Sequence, residues 1–231
     1  LGLQGQPFYN YGRRIVTSDV TKVSAHGGDY ANHSAFIKND GSLWTMGANQ
    51  YGQLGDGNTT GRKEPHRVEI SGVVDVAAGR FHTLYVKSDG SLWVMGGNDN
   101  GQLGKGDTNN ALVPVQILAN GVTKVFAGPA GSAFIKTDGS LWHMGAPPTG
   151  NFSSNQLVPN QLVASGVVDV SYGGENFMQS HFLFVKNDGS LWVMGRNNSG
   201  QLGTGNTTSQ SVPLQLLAGG VKGVAAGDHF S

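Results

Sequence analysis

Hydrophobic and polar positions alternate along this chain in short runs separated by turn signals. In "GVVDVAAG" (72–79) the alternation places Val74, Val76 and Ala78 on one face. "HTLYVK" follows, with Leu84 and Val86 on one face. "KSDGSL" reads as a hairpin turn, since Asp accepts local backbone hydrogen bonds and Gly takes φ > 0 without steric cost. "SLWVMG" is the next strand, with Trp93 and Met95 on the same face and Leu92 on the other. A polar Gly/Asn/Asp loop leads to "VPVQIL", whose proline suits an edge strand. The segment therefore predicts four strands, mostly joined by hairpins.

The same pattern recurs. "DGSLW" stands at 40–44, 89–93, 138–142 and 188–192, at intervals of 49, 49 and 50 residues, and these copies hold all four tryptophans, Trp44, Trp93, Trp142 and Trp192. A period of this size marks a repeat architecture. The repeats run approximately over 20–71, 72–120, 121–165 and 166–219, with 1–19 and 220–231 as partial ends of a single domain, 1–231, or of part of one. The third copy has "APPTGNFSSNQLVPNQLVA" where the others carry "GQLG" (52–55, 101–104, 200–203). Four strands per unit of about 50 residues predict an all-β fold, a β-propeller of four-stranded blades. Repeated Asp-Gly turns and Leu/Trp plugs read as structure. Catalytic carboxylates need unequal environments, and repetition makes environments alike.

Composition narrows the function. Net charge is formally zero, and only 13% of residues are charged, so no basic excess points to nucleic acid or an anionic membrane. The absence of cysteine excludes disulfides and thiolate metal sites. No window approaches a membrane-spanning apolar run. Residues 1–11 lack the pattern of a signal peptide, and the start at Leu1 is read as processing or as a piece of something longer.

The stretch "VAAGRFHTLYVKSDGSLWVMGGNDNGQLG" resembles the regulator of chromosome condensation repeat. The features that carry the resemblance are AAG-x-x-H, a turn before an aromatic strand, and G-x-N-x-x-G-Q-L-G. Three units match in full and one in part. The diglycine and Tyr/Trp pattern expected of kelch repeats is not evident, and the Trp-Asp ending of WD-type repeats does not occur. The resemblance implies a propeller, seven-bladed in most members. Its founding nuclear protein is an exchange factor for a small GTPase and binds chromatin. Other members bind proteins through loops at one end, and a similar bacterial propeller clamps β-lactamase. The "DGSLWVMG" style looks like the bacterial, often secreted branch.

The ends leave the blade count open. "GVKGVAAGDHFS" restarts a unit, while "GRRIVTSDV" tracks the unit end "PHRVEISGV". Together they make a split, incomplete fifth blade without DGSLW. A fragment of a larger propeller, a five-bladed ring and an open, associating arc are all compatible with this.

Among candidate sites, a repeat histidine lies seven residues before each turn Asp, as His33, His82 and His181. Gly131 takes that place in unit three. Phe230 takes it in the C-terminal restart, with His229 one residue out of register. A metal ring is one reading. The other is a structural histidine bonded to a neighbouring blade's backbone, which suits residues spread around a ring. The loop between first and second strands varies most. It carries Asp29, Tyr30 and Asn32 in unit one, Arg80 and Phe81 in unit two, and Glu175, Asn176, Phe177 and Met178 in unit four. Aromatic and Met side chains on loops of a rigid scaffold suit partner binding. The Gly/Asn loops at 55–60, 104–110 and 203–208 lack the clustered carboxylates and terminal Glu of a calcium loop. No catalytic constellation stands out.

The reading is a non-enzymatic protein-binding or scaffold propeller that presents variable loops on one face, outside the cytoplasm or at the cell surface. It carries no cofactor and no metal. The expected partner is an unknown protein or copies of itself, with no nucleic acid and no membrane span. A self-assembling, filament-like surface component and a guanine-nucleotide exchange factor for a small GTPase are the alternatives.

Overall fold

The computed structural model describes residues 15–16, 18–26, 32–147, 155–174 and 180–227. Sixteen strands form four separate antiparallel sheets of four strands each, in simple meander order. Blade 1 comprises β1 (Val20–His26), β2 (His33–Lys38), β3 (Leu43–Gly47) and β4 (Arg62–Glu69). Blade 2 comprises β5 (Val73–Ala78), β6 (His82–Lys87), β7 (Leu92–Gly96) and β8 (Ala111–Leu118). Blade 3 comprises β9 (Val122–Ala127), β10 (Gly131–Lys136), β11 (Leu141–Gly145) and β12 (Gln156–Val163). Blade 4 comprises β13 (Val167–Gly173), β14 (His181–Lys186), β15 (Leu191–Gly195) and β16 (Gln210–Leu217). The first strands of successive blades touch one another. They line a central concavity of 390 Å³. The last strands lie outermost and carry Pro65, Pro114, Pro159 and Pro213, residues that cannot donate to a ladder and so mark an edge.

Blades pack face to face, with one surface of each against the opposite surface of the next. Leu84, Val86, Leu92 and Val94 of blade 2 share a core with Val125, Phe134 and Met144 of blade 3. Blade 1 meets blade 2 in the same way, through Ala35, Ile37 and Leu43 against Tyr85 and Met95. Ile135 and Leu141 of blade 3 meet Phe182, Phe184 and Met194 of blade 4. Each buried Leu, Val or Phe removes about 1.5–3 kcal/mol worth of apolar surface from water, so the interfaces hold the array together.

Each DGSLW segment is a local cassette that also ties blades together. In blade 2, Asp89 Oδ1 accepts the Ser91 N–H (2.8 Å), and Ser91 Oγ accepts the Trp93 indole N–H (2.9 Å). Trp93 stacks beside Tyr85 at 6.2 Å and 7°, while the Lys87 ammonium lies 4.9 Å from the indole centre. The other three copies repeat this geometry: Phe36–Trp44, Phe134–Trp142 and Phe184–Trp192 stack at 6.1–6.2 Å. Gly90 turns with φ +79°, and its carbonyl accepts Val122 N–H of blade 3 at 3.0 Å. An added Cβ on Gly90 would stand 2.7 Å from Gly121 N, so both the conformation and the contact require glycine. Gly41, Gly139 and Gly189 make the corresponding bond to Val73, Val167 and Val221.

Two expectations need correction. Val74 does not share a face with Val76 and Ala78: it is 53% exposed while Val76 is 1% exposed. A β-bulge between Val73 and Asp75 breaks the alternation and turns Asp75 inward. The loop after the third strand is not simply polar either. Leu54, Leu103 and Leu202 plug the core, and Asn49, Asn98 and Asn197 are fully buried clamps. Asn49 Nδ2 donates to Asp56 Oδ1, Asn58 O and Thr60 O at 2.9–3.2 Å, while its Oδ1 accepts Leu54 N–H. Loop oxygens that a cation could gather converge instead on an amide nitrogen.

The turned-in position alternates in charge around the concavity: Lys22, Asp75, Lys124, Asp169. Asp75 accepts a hydrogen bond from Lys22 Nζ of blade 1 and, through Oδ2, from Val125 N–H of blade 3 (2.9 Å). Lys124 Nζ lies 3.9 Å from Asp169 Oδ1. Blades 1 and 3 also share Thr21 and Thr123 where blades 2 and 4 have Val74 and Val168, so the first strands alternate in type from blade to blade. Burial is the main cause holding the Lys22 ammonium below the usual lysine range, and nearby Lys124 adds to it.

Residues 221–227 begin a fifth unit. Val221, Val224 and Ala226 pack on the open face of blade 4, and Ala226 N–H donates to Ser171 Oγ at 2.8 Å. Of the N-terminal half proposed for a fifth blade, only Ile15, Val16, Ser18 and Asp19 are described, and they belong to no strand.

Candidate interaction face

The meander sorts the loops to two ends. The DG turns and the links between blades occupy one end. The loops joining first to second and third to fourth strands occupy the other, here the loop end. Asn32, Arg80 and Phe81 are on the loop end, on the connections entering β2 and β6. Asp29, Tyr30, Glu175, Asn176, Phe177, Met178, His229 and Phe230 lie outside the described residues.

The histidines sit just beneath the loop end, at the start of each second strand, and are fully buried. His33 Nε2 meets Thr83 Oγ1 of the next blade at 2.8 Å, and His82 Nε2 meets Ser132 Oγ at 2.8 Å. The hydroxyls donate onward to carbonyls of the preceding blade: Thr83 to Gln53 O and Ser132 to Gln102 O, both at 2.8 Å. A neighbouring hydroxyl thus joins the neighbouring backbone as a partner, since His82 also hydrogen-bonds the Gly131 backbone of blade 3. These histidines are spread over different blades, and no cluster of three metal-ligating side chains occurs among the described residues. Burial lowers the His82 pKa to about 3.

Blade 3 solves the same problem differently. An added Cβ at Gly131 would meet the Tyr172 hydroxyl at 2.5 Å and His143 Nε2 at 2.8 Å. The repeat histidine is absent there because His143, from β11, and Tyr172, from β13, fill its space. His143 packs edge-on against Phe182 with centroids 5.7 Å apart. It stands at the position of Val94 and Val193, which in their own blades share a core with Leu103 and Leu202. Blade 3 has no GQLG leucine, and an imidazole stands where blades 2 and 4 have that valine. Burial lowers its pKa to about 4, against an opposing hydrogen-bonding effect of the Ala146 backbone.

On the surface, one seam differs from the rest. Between blades 1 and 2, Tyr51 and Phe81 pack at 4.6 Å with planes tilted 49°, and the Arg80 guanidinium lies 4.9 Å from the Phe81 ring centre. All three side chains are half-buried. At the next seam the corresponding residues are Asn100, Ala130 and Pro129. Tyr51 escaped the sequence reading because it sits in a repeated polar loop thirty residues from Phe81. The available signal was its departure from Asn100 and Ser199 at the same unit position. The loop end can offer aromatic area, a guanidinium laid over a ring and exposed amides. Its hydroxyl–imidazole pairs, His33–Thr83 and His82–Ser132, are fully buried beneath it.

A family model of the regulator of chromosome condensation (RCC1) repeat matches residues 40–86, 89–135 and 188–231. A second model of the same repeat matches 20–53 and 73–102. Among curated proteins, Protein RCC2 homolog of Danio rerio is 37% identical over 81 residues, 34% of this chain and 16% of the relative. The X-linked retinitis pigmentosa GTPase regulator homolog of Caenorhabditis elegans is 50% identical over 54 residues, 22% of this chain and 4% of the relative. Among solved structures, human WBSCR16 superposes with TM-score 0.75 and 25% identity over 90% of this chain and 56% of its own. Prp20p of Saccharomyces cerevisiae, described with its binding to Gsp1p and histones, superposes with TM-score 0.70 and 18% identity over 96% of this chain and 55% of its own. A further yeast RCC1 structure is a complex with Kap60. The chain spans a small part of these curated relatives and little more than half of the two propellers. Repeat motif, blade topology and superposition agree, and the chain belongs to the regulator of chromosome condensation (RCC1) repeat family.

Proposed function

We propose that this chain is a non-enzymatic protein-binding propeller module that engages its partner through the loop end. The observation that carries this reading is the gathering of unit-specific side chains Tyr51, Arg80 and Phe81 at one seam of that end. Positions that hold the blades repeat from unit to unit, whereas these three do not. A rigid array bearing aromatic and arginine side chains on its loops has the composition of an interface hot spot. Structural neighbours described with Gsp1p, histones and Kap60 support protein binding as the general role. Placement outside the cytoplasm belongs to the same proposal, and low charge and the absence of cysteine are compatible with it.

The test is a photo-crosslinking amino acid placed at Asn100 on the loop end and, separately, at Thr137 on the turn end, in the cell of origin. Cross-linked partner bands at Asn100 and none at Thr137 support the reading. The reverse pattern refutes it.

Regulation of a small GTPase is a second reading, favoured by the Prp20p and GTPase-regulator likenesses. Accelerated nucleotide release from a GTPase of the same cell is its readout. Self-assembly is a third. Concentration-dependent mass in light scattering is its readout.

A further inference from the structure

We propose that the Tyr51–Arg80–Phe81 seam receives an acidic segment of a partner protein, with an apolar or aromatic side chain against the ring pair and an adjacent carboxylate on Arg80. This deepens the binding reading above and rests on it.

Charge complementarity carries the choice of partner. Arg62, Lys22, Lys87, Lys105 and Lys124 are each paired with a carboxylate. Arg80 has no carboxylate partner among the described residues, and its guanidinium is laid over the Phe81 ring. A guanidinium held on an aromatic face keeps its fork of N–H donors available at the edge, where a carboxylate can bind in two-pronged fashion. The neighbouring rings offer apolar area to the residue beside that carboxylate. A nucleic acid fits poorly. Such binding neutralises several phosphates along a basic stripe, and this chain is formally neutral with a single unpaired guanidinium at the seam.

The seam is built before any partner arrives. Tyr51 N–H donates to Gln53 Oε1 at 3.0 Å, and Gly97 N–H donates to Phe81 O at 2.7 Å. Arg80 N–H reaches Gly128 O of blade 3 at 3.3 Å. An added Cβ on Gly97 would lie 3.2 Å from Phe81 Cβ and 3.4 Å from Tyr51 Cβ. The other units have Ala48, Ala146 and Arg196 there, so the one glycine of the set stands where the ring pair needs the room. Little ordering is left to do on binding, which favours affinity from a small patch.

The probes are two fluorescent peptides of equal length, one centred on Glu-Trp-Glu and the other on Lys-Trp-Lys. Each is titrated against the wild-type chain and against the Arg80→Glu and Phe81→Ala variants, with circular dichroism to show that both variants keep the fold. The acidic peptide is expected to bind the wild type more tightly, to lose about tenfold or more on Arg80→Glu, and to lose a similar factor on Phe81→Ala. The basic peptide should gain on Arg80→Glu. Equal binding of the two peptides, no binding of either, or an acidic peptide indifferent to Arg80→Glu overturns the proposal. So does tighter binding of a single-stranded oligonucleotide, or of a second copy of the chain, at this seam. If loop-end cross-links at Asn100 persist in any of those cases, only the acidic assignment falls. If they are absent, the binding reading falls with it.

Discussion

His82 of blade 2 and Ser132 of blade 3 share a 2.8 Å hydrogen bond across their seam, and Ser132 returns its own proton to Gln102 O of blade 2. Because the serine hydroxyl is already donating, it accepts from His82, which fixes the Nε2–H tautomer. Replacing Ser132 with Ala removes the hydroxyl acceptor from a buried donor. The expected cost is about 1–3 kcal/mol, read as a lower urea midpoint at unchanged slope. Thr83→Val should act alike on His33.

Acid should weaken the fold through the same buried rings. His82 and His143 have pKa values lowered from 6.5 to about 3 and about 4. Below pH 6.5 the unfolded chain takes up protons that the folded chain refuses, so stability falls as pH drops from 6.5 toward those folded values. The loss is roughly 3 kcal/mol for His143, taking about 1.4 kcal/mol per pH unit as the upper limit. A His143→Phe variant should show a flatter stability profile between pH 6.5 and 4. An unchanged profile would mean that His143 is not held neutral by burial.

Equivalent glycines separate backbone conformation from blade packing. Gly101 and Gly200 turn with φ +79° and +78°. An added Cβ at Gly101 would lie 2.6 Å from Leu157 Cδ2 and 3.1 Å from Leu157 Cα, whereas at Gly200 it meets nothing. Gly200→Ala should cost about 1–2 kcal/mol from the left-handed conformation alone. Gly101→Ala should cost distinctly more, and the difference in thermal midpoints measures the contact between blades 2 and 3.

Asp75 joins three blades and should be hard to remove. Its carboxylate is buried and accepts from Lys22, Val76 N–H and Val125 N–H. Asp75→Ala strands both backbone donors and is expected to cost about 3 kcal/mol or more. Lys22→Ala removes a half-exposed partner and should cost about 1 kcal/mol or less. A double-mutant cycle between the two measures the coupling.

The blades were legible in the sequence because their determinants are local: Asp-Gly fixes a turn, and period two fixes the faces of β6 and β7. The first strands were misread at Val74 because a bulge inserts one residue, and alternation alone cannot register that. The Lys22, Asp75, Lys124, Asp169 series was present in "VTKV" and "VVDV" at 20–23, 73–76, 122–125 and 167–170, but its meaning needed the side-by-side packing of the first strands. His143 and Tyr51 were missed for a shared reason. Each is a single departure from the repeat, and its significance depends on a residue from the next blade, Tyr172 in one case and Phe81 in the other.

The division of labour between repeated and unit-specific positions is tested most directly by measuring binding and stability together on two variants. Cross-link yield at Asn100 and the urea midpoint would be recorded for Arg80→Ala and for Ser132→Ala. Arg80→Ala should lose the cross-link while its unfolding free energy stays within about 0.5 kcal/mol of wild type. Ser132→Ala should lose stability and, at a temperature where it remains folded, keep the cross-link. A cross-link that survives Arg80→Ala, or that vanishes in folded Ser132→Ala, would contradict the assignment of function to the seam and of stability to the repeat.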